Sequence, residues 1–207
     1  MIINPPYDIL YVDPPWNYQD KRAIGKSRCG AENHYSCIPL NDLCSIPIHK
    51  ICANNCILYL WASWPLIEDA FALMDAWGFS YHGLGFEWVK INKNGSPFFG
   101  IGAYSKSNSE PCLFAKRGKI GMKLKCEKLN DDTMRPVSYM ESSLVIEPHE
   151  RDIRGKIIHS RKPKEVRKRI ERLWGDKRRI ELFATEKEDG WDAVGFQLGT
   201  NIFDVIK

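Results

Sequence analysis

The chain has 207 residues, of which 43% are hydrophobic and 12% aromatic, enough for one packed domain and too much for a chain disordered as a whole. Thirty basic against 26 acidic side chains leave +4, which excludes a bulk polycation. The charge is unevenly placed: residues 151–179 carry 13 Lys/Arg and four Asp/Glu, a net +9, and the remaining 178 sum to −5. Such a block points to a polyanion or an anionic cofactor, or else to a solvated basic helix face.

In chain order, residues 7–12 (Tyr-Asp-Ile-Leu-Tyr-Val) form a predicted strand that stops at Asp13-Pro14-Pro15-Trp16. Asn4-Pro5-Pro6-Tyr7 has the same form, but only three residues precede it, so it reads as a turn leading into the strand. Residues 17–48 are rich in Gly, Asn, Ser and Cys and read as a loop holding at most a short helix. A buried strand is predicted over 56–61. Apolar residues at Leu66, Ala70, Leu73, Met74 and Trp77 have helical spacing, closed by Gly78. Further strands are predicted over 79–91 and 111–115. Residues 92–109 and 117–142 read as long loops, more often binding segments than linkers.

Ser160-Arg161-Lys162-Pro163 opens a second helix, with Val166, Ile170, Leu173 and Trp174 on one apolar face and Gly175 closing it. Lys164, Arg167, Lys168 and Arg172 fall mostly outside that stripe and are expected on the wet face. A strand is predicted over 179–184, and another short one over 190–197. Strands alternating with helices imply an α/β fold, a mostly parallel sheet with helices on both faces, in a single domain spanning 1–207. Ligands of such sheets sit beyond the C-terminal strand ends.

Seven Cys, an odd number with no C-x-x-C, suggest reduced thiols and a cytoplasmic setting rather than a disulfide framework or zinc ribbon. His34 and Cys37 are too few to make a metal site, so none is expected. No apolar stretch approaches the length of a membrane span.

Asp13-Pro14-Pro15-Trp16 suits the holding of an exocyclic amine. The Asp13 carboxylate and a carbonyl of the restricted Pro-Pro turn can each accept an N–H, and Trp16 offers a flat face for a base. Two acceptors favour a pyramidal nitrogen with its lone pair free. The same tetrapeptide equally describes a strand-to-turn transition with a capping Asp and a packed Trp.

The motif after its strand resembles the DPPW-type adenine-N6 methyltransferase family. That family includes bacterial and phage DNA adenine methyltransferases related to the catalytic subunit of the eukaryotic messenger-RNA adenosine methyltransferase. Further matching stretches follow in order: Leu58-Tyr59-Leu60-Trp61, Trp88-Val89-Lys90, Ser109-Glu110 before Cys112-Leu113-Phe114, Ser160-Arg161-Lys162-Pro163 and Glu181-Leu182-Phe183-Ala184. The resemblance covers roughly residues 7–198. It implies a Rossmann-like, S-adenosylmethionine-dependent methyltransferase fold in permuted order. The catalytic motif, residues 13–16, precedes a cofactor-binding part at about 159–198, with substrate loops at about 17–48, 92–109 and 117–158.

By the same resemblance Asp13, Pro14, Pro15 and Trp16 are catalytic. Asp13, His159, Ser160, Lys162, Glu181, Leu182, Phe183 and Gln197 would bind S-adenosylmethionine, with Lys162 at a helix mouth meeting the methionine carboxylate. Trp16, Tyr18, Tyr35, Trp61, Lys90, Arg151 and Arg154 would face the substrate. Lys106, Lys116, Arg117, Lys119, Lys123 and Lys125 form a second basic cluster that, with residues 151–179, would track a phosphate backbone. Thr185 and Phe196 stand where the family often has Arg and Asn, which weakens the ribose contacts. The implied activity is methyl transfer to adenine N6 in DNA. The alternatives are the same reaction on RNA, or a non-catalytic nucleic-acid-binding partner of an active enzyme. The chain would work alone, as a homodimer, or beside a partner subunit.

Overall fold

The computed structural model describes residues 3–17, 37–100, 106–120, 126–128, 134–136, 142–158 and 161–206. Its centre is a seven-stranded sheet in the order β7-β3-β4-β2-β1-β8-β9. The strands are β1 (Tyr7–Val12), β2 (Cys52–Trp61), β3 (Ser80–Ile91), β4 (Ser109–Arg117), β7 (Leu144–Pro148), β8 (Arg179–Leu182) and β9 (Asp192–Val194). A separate antiparallel pair joins β5 (Cys126–Lys128) to β6 (Met134–Pro136).

β1 lies between β2 and β8, parallel to both, and β9 continues the parallel run. The strand β4 runs antiparallel to its neighbours β2 and β3, and β7 returns parallel to β3. The sheet is therefore mixed, with four parallel and two antiparallel pairings. Residues 9–12 of β1 are buried on both faces, as their unbroken apolar run requires. Leu10 and Val12 point into one core with Leu58, Leu60 and Leu113; Ile9 and Tyr11 point into the other with Ile57, Tyr59 and Trp61.

Helices α1 (Leu40–Ser45) and α2 (Ile67–Ala76) cover the first face, α2 with the Ala70, Leu73 and Met74 that the spacing marks. Helix α3 (Lys164–Trp174) covers the second face with Val166 and Ile170, each worth about 1.5–3 kcal/mol when fully buried. Pro163 caps α3 one residue before its first turn, and Gly175, at φ 63°, turns the chain away after it. A short α4 (Ile202–Val205) follows, its capping Asn201 side chain accepting from the Phe203 N–H. No helix among the described residues is long and apolar enough to cross a membrane.

One expectation about the basic block is corrected. Arg167 is not on the wet face of α3 but 3% exposed. It flanks the Val166–Ile170 seam, and its guanidinium reaches under the sheet to the Glu181 carboxylate, Nε to Oε2 at 2.7 Å and Nη2 to Oε1 at 2.9 Å.

Candidate active site

Parallel pairing sets which chain ends meet. Val12 is opposite both Leu60 and Leu182, so Asp13, Trp61 and Phe183 emerge side by side at the C-terminal edge. Because β4 is antiparallel, its first residues arrive at this same edge: Leu60 pairs with Leu113 and Trp61 with Cys112. That places Glu110 beside Asp13.

Four charged side chains meet here. Lys162 donates from Nζ to Asp13 Oδ2 at 2.8 Å and lies 3.5 Å from Glu110 Oε2. Lys90 donates to the other Glu110 oxygen. The ammonium groups rest over rings, Lys162 5.5 Å from the Trp61 centroid and Lys90 4.8 Å from that of Trp88. Burial pushes the Asp13 carboxyl above its ordinary value, and the charge and hydrogen bond of Lys162 only partly oppose this. Burial acts the same way on Glu110, but Lys162 and Lys90 together outweigh it and hold that carboxyl below the usual range.

The Pro-Pro turn is fixed by backbone bonds: Trp16 N–H donates to the Pro14 carbonyl at 2.8 Å, and Ile38 N–H to the Pro15 carbonyl at 3.0 Å. Each bond uses one of the two lone pairs of its carbonyl, and among the described residues the Pro14 carbonyl has no partner beyond the turn itself. Trp16 is not the open stacking face expected. It is 6% exposed, packed into the first core, and its indole N–H donates to the Trp61 carbonyl at 3.0 Å. Trp16 thus fastens the motif to the end of β2. Trp61 is 0% exposed, so it likewise offers no face to a base; its ring supports Lys162 instead.

On the cofactor side, Lys162 stands at the mouth of α3 as expected. Glu181 is held by Arg167, which donates to both of its carboxylate oxygens. Leu182 is fully buried in the first core. Phe183, at φ 62°, is the described non-glycine residue with a left-handed backbone, a strained conformation at the strand end where ligands of such sheets bind. Gln197 is exposed on the turn after β9. His159, Ser160, Tyr18 and Tyr35 lie outside the described residues.

On the substrate side, Lys90 lies in the charged quartet. Arg151 is not a free phosphate ligand: its Nη1 donates to the Gly155 carbonyl of its own turn at 2.7 Å. Arg154 is exposed at the tip of that turn. The second basic cluster is split. Lys116 and Arg117 close β4 and Lys119 follows it, about 23 Å or more from the strand's start at about 3.3 Å per residue, so they lie toward the opposite edge of the sheet. Lys106 remains at the site end, and Lys123 and Lys125 lie outside the described residues.

Glu110 carried no assigned role in the sequence. Its signal was the Ser109-Glu110 pair before an apolar run, but a sheet read as parallel puts the start of that strand at the wrong edge.

Residues 7–197 match MT-A70. The chain belongs to the MT-A70 family. It is 29% identical to the type II methyltransferase M.MunI of a Mycoplasma species, over 96% of this chain and 81% of that protein. It is 25% and 24% identical to the N(6)-adenine-specific methyltransferase METTL4 of Homo sapiens and Mus musculus, over 91% of this chain. It spans only 37% of the length of each METTL4 protein. Membership gives the quartet its setting, because the DPPW motif and the Lys162 helix, 149 residues apart, are brought within one hydrogen bond.

In this MT-A70 fold, Gly195 controls how the strands end at the site. A Cβ there would lie 2.0 Å from the Ala184 carbonyl oxygen and 2.8 Å from its nitrogen. Its amide N–H donates to Thr200 Oγ1 at 2.9 Å. Gly195→Ala is therefore expected to cost about 1–3 kcal/mol by overpacking against backbone. A thermal melt checks this as a fall of roughly 2–12 °C for a chain of this size.

Proposed function

We propose that the chain transfers a methyl group from S-adenosylmethionine to the N6 amine of adenine in DNA. The observation that carries this is the Asp13–Lys162 pair at the C-terminal edge, with Asp13 in an intact Asp-Pro-Pro-Trp turn. DNA is preferred to RNA because the relative matched over most of both chains is named a type II methyltransferase.

The donor set suits the cofactor. Its amino-acid end carries one carboxylate and one ammonium, and the quartet offers Lys162 to the first and the Asp13 and Glu110 carboxylates to the second. Lys162 is only 11% exposed at its side chain, so it acts as a desolvated charge at a helix mouth rather than a surface lysine. Bound there, the cofactor supplies an electrophilic methyl group on a sulfonium.

The rest of the reaction belongs to the chain. When Lys162 turns to a carboxylate, Asp13 Oδ2 is released to accept an N–H from the adenine amine. The Pro14 carbonyl accepts the other N–H. Both acceptors are fixed before the amine arrives, which lowers the reorganisation needed to free the nitrogen lone pair. Once alkylated, the nitrogen is acidic, and Asp13, its carboxyl raised above the ordinary value, is a better proton acceptor than a solvated Asp. Trp16 keeps the turn in place through the Trp61 carbonyl.

Labelled S-adenosylmethionine incubated with DNA and, separately, RNA tests the reading. Label in N6-methyladenine of DNA is expected; no incorporation into adenine of either polymer, with wild type equal to Asp13→Ala, rejects it. Lys162→Met is expected to raise the cofactor KM roughly 10–100-fold, the worth of one charged hydrogen bond. Lys162 is also the charge that holds Asp13 down. The acidic limb of kcat/KM, where Asp13 takes up a proton and stops accepting, should thus begin above the ordinary 3.8 in the wild type and move higher still in Lys162→Met. A limb that stays in place in the variant would show that the two residues are not coupled.

A further inference from the structure

Residues 150–158 form a hairpin that the reading above does not use. It leaves the C-terminal end of β7, and β7 is parallel to β3, so the hairpin rises from the same edge as Asp13. Arg151 bridges to Ile157, and Ile158 N–H donates to Glu150 O and Asp152 N–H to Lys156 O, both at 2.9 Å.

The tip is braced from within. Asp152 Oδ1 accepts from the N–H groups of both Arg154 and Lys156 at 2.9 Å, Gly155 takes φ 78°, and the Arg151 guanidinium closes across the turn onto the Gly155 carbonyl. The root is anchored as well. Glu150 pairs with Arg161 at 2.9 Å, next to Lys162, and the His149 ring packs edge-on against Trp88 at 5.0 Å and Phe98 at 4.7 Å.

This stiff finger presents Ile153, 103% exposed, between Asp152, whose carboxylate braces the turn, and exposed Arg154. A lone exposed apolar residue is ordinary. One held at the tip of a braced turn, followed by the exposed cations Arg154 and Lys156, at the edge that carries the charged quartet, is not explained by folding, since it buries nothing. The neighbouring turn repeats the composition, with Phe99 53% exposed and Lys106 Nζ 5.4 Å from its ring centroid.

A compact apolar side chain beside two cations matches one step of a base stack beside its phosphates, and such wedges unstack duplex DNA. An enzyme acting on the amine of a paired adenine must take that base out of the stack. We propose that the hairpin is a wedge for duplex DNA: Ile153 enters the stack at the step the adenine vacates, and Arg154 and Lys156 hold the flanking phosphates. The proposal rests on the reading of the chain as a DNA adenine methyltransferase.

Methylation of native plasmid DNA and of the same plasmid heat-denatured separates the two ideas. Ile153→Ala should lower the native-to-denatured activity ratio about tenfold, because a single strand has no paired stack to open. Ile153→Leu, which keeps the apolar volume, should restore the ratio. An Ile153→Ala ratio equal to the wild type overturns the wedge while leaving the methyltransferase reading intact. A wild type that methylates adenine in neither plasmid form overturns the methyltransferase reading, and the wedge with it.

Discussion

Asp13→Asn is expected to lower the single-turnover rate of methyl transfer about 10²–10³-fold, the range found when one preorganised group at a reacting centre is removed. Asn keeps one acceptor oxygen, so the loss does not come from shape. It comes from the charge and from proton acceptance, which an amide cannot provide. The fold should survive the change. Lys162 keeps Glu110 at 3.5 Å as a counter-charge, and the Pro-Pro turn is held by the Trp16 and Ile38 backbone bonds, not by the Asp13 side chain. The measurement is rapid-quench incorporation of label at saturating cofactor, alongside a thermal melt. A rate loss below tenfold at an unchanged melting temperature would take Asp13 out of the reaction. Trp16→Phe makes the contrast: it removes the indole donor to the Trp61 carbonyl and some buried ring volume but no acceptor for the amine, so it should loosen the turn and lower the rate by much less.

What the sequence carried and what it did not have physical reasons. The strand β1 and its Asp-Pro-Pro-Trp stop were legible because a fully buried strand is a continuous apolar run and two prolines cannot continue one. Helix α3 was legible because Val166 and Ile170 keep helical spacing between Pro163 and Gly175. Strand direction was not legible. Nothing local in residues 109–117 says that the strand runs backwards, yet that reversal brings Glu110 into the site and sends Lys116, Arg117 and Lys119 to the far edge. The edge strand β7 was hidden for a related reason. It is five residues long inside a polar segment, with Val145 buried but Leu144 and Ile146 exposed. Burial of aromatics at the site was left open by the sequence: Trp16 reads equally as a stacking face and as a packed residue, and both Trp16 and Trp61 prove to be fixed supports. The basic block changes most. Arg161 pairs with Glu150 and Glu186, Lys162 with Asp13 and Glu110, and Arg169 and Arg172 with Glu165. Much of the +9 is therefore matched by carboxylates, several of them distant in sequence, while Arg154 and Lys156 stay exposed on the hairpin at the site edge.

Arg167→Met is expected to destabilise the fold by about 3–5 kcal/mol, because it leaves the Glu181 carboxylate buried and unpaired. The two side chains are 4% and 7% exposed, and the bidentate contact satisfies both carboxylate oxygens. In a chain of this size the melting temperature should fall roughly 6–20 °C. The deficit should depend on pH in a defined direction. Burial already pushes the Glu181 carboxyl above its ordinary value, and Arg167 is the first group that opposes this. Without Arg167 the native carboxyl binds its proton more tightly still, while the unfolded chain keeps the ordinary 4.5. Native Glu181 then holds more protons than unfolded Glu181, so the variant gains stability as the pH falls from its raised value toward 4.5 and loses it as the pH rises again. Denaturant melts at several pH values read this slope directly, and a deficit that grows on acidification would contradict the pairing. The double variant Arg167→Met with Glu181→Leu removes both charges at once and should recover most of the loss, since well-packed apolar replacements of a buried pair are often neutral or stabilising. If the double variant keeps S-adenosylmethionine binding by calorimetry, Glu181 acts through the fold; if it melts normally but no longer binds, the Glu181 carboxylate has a second role at the cofactor.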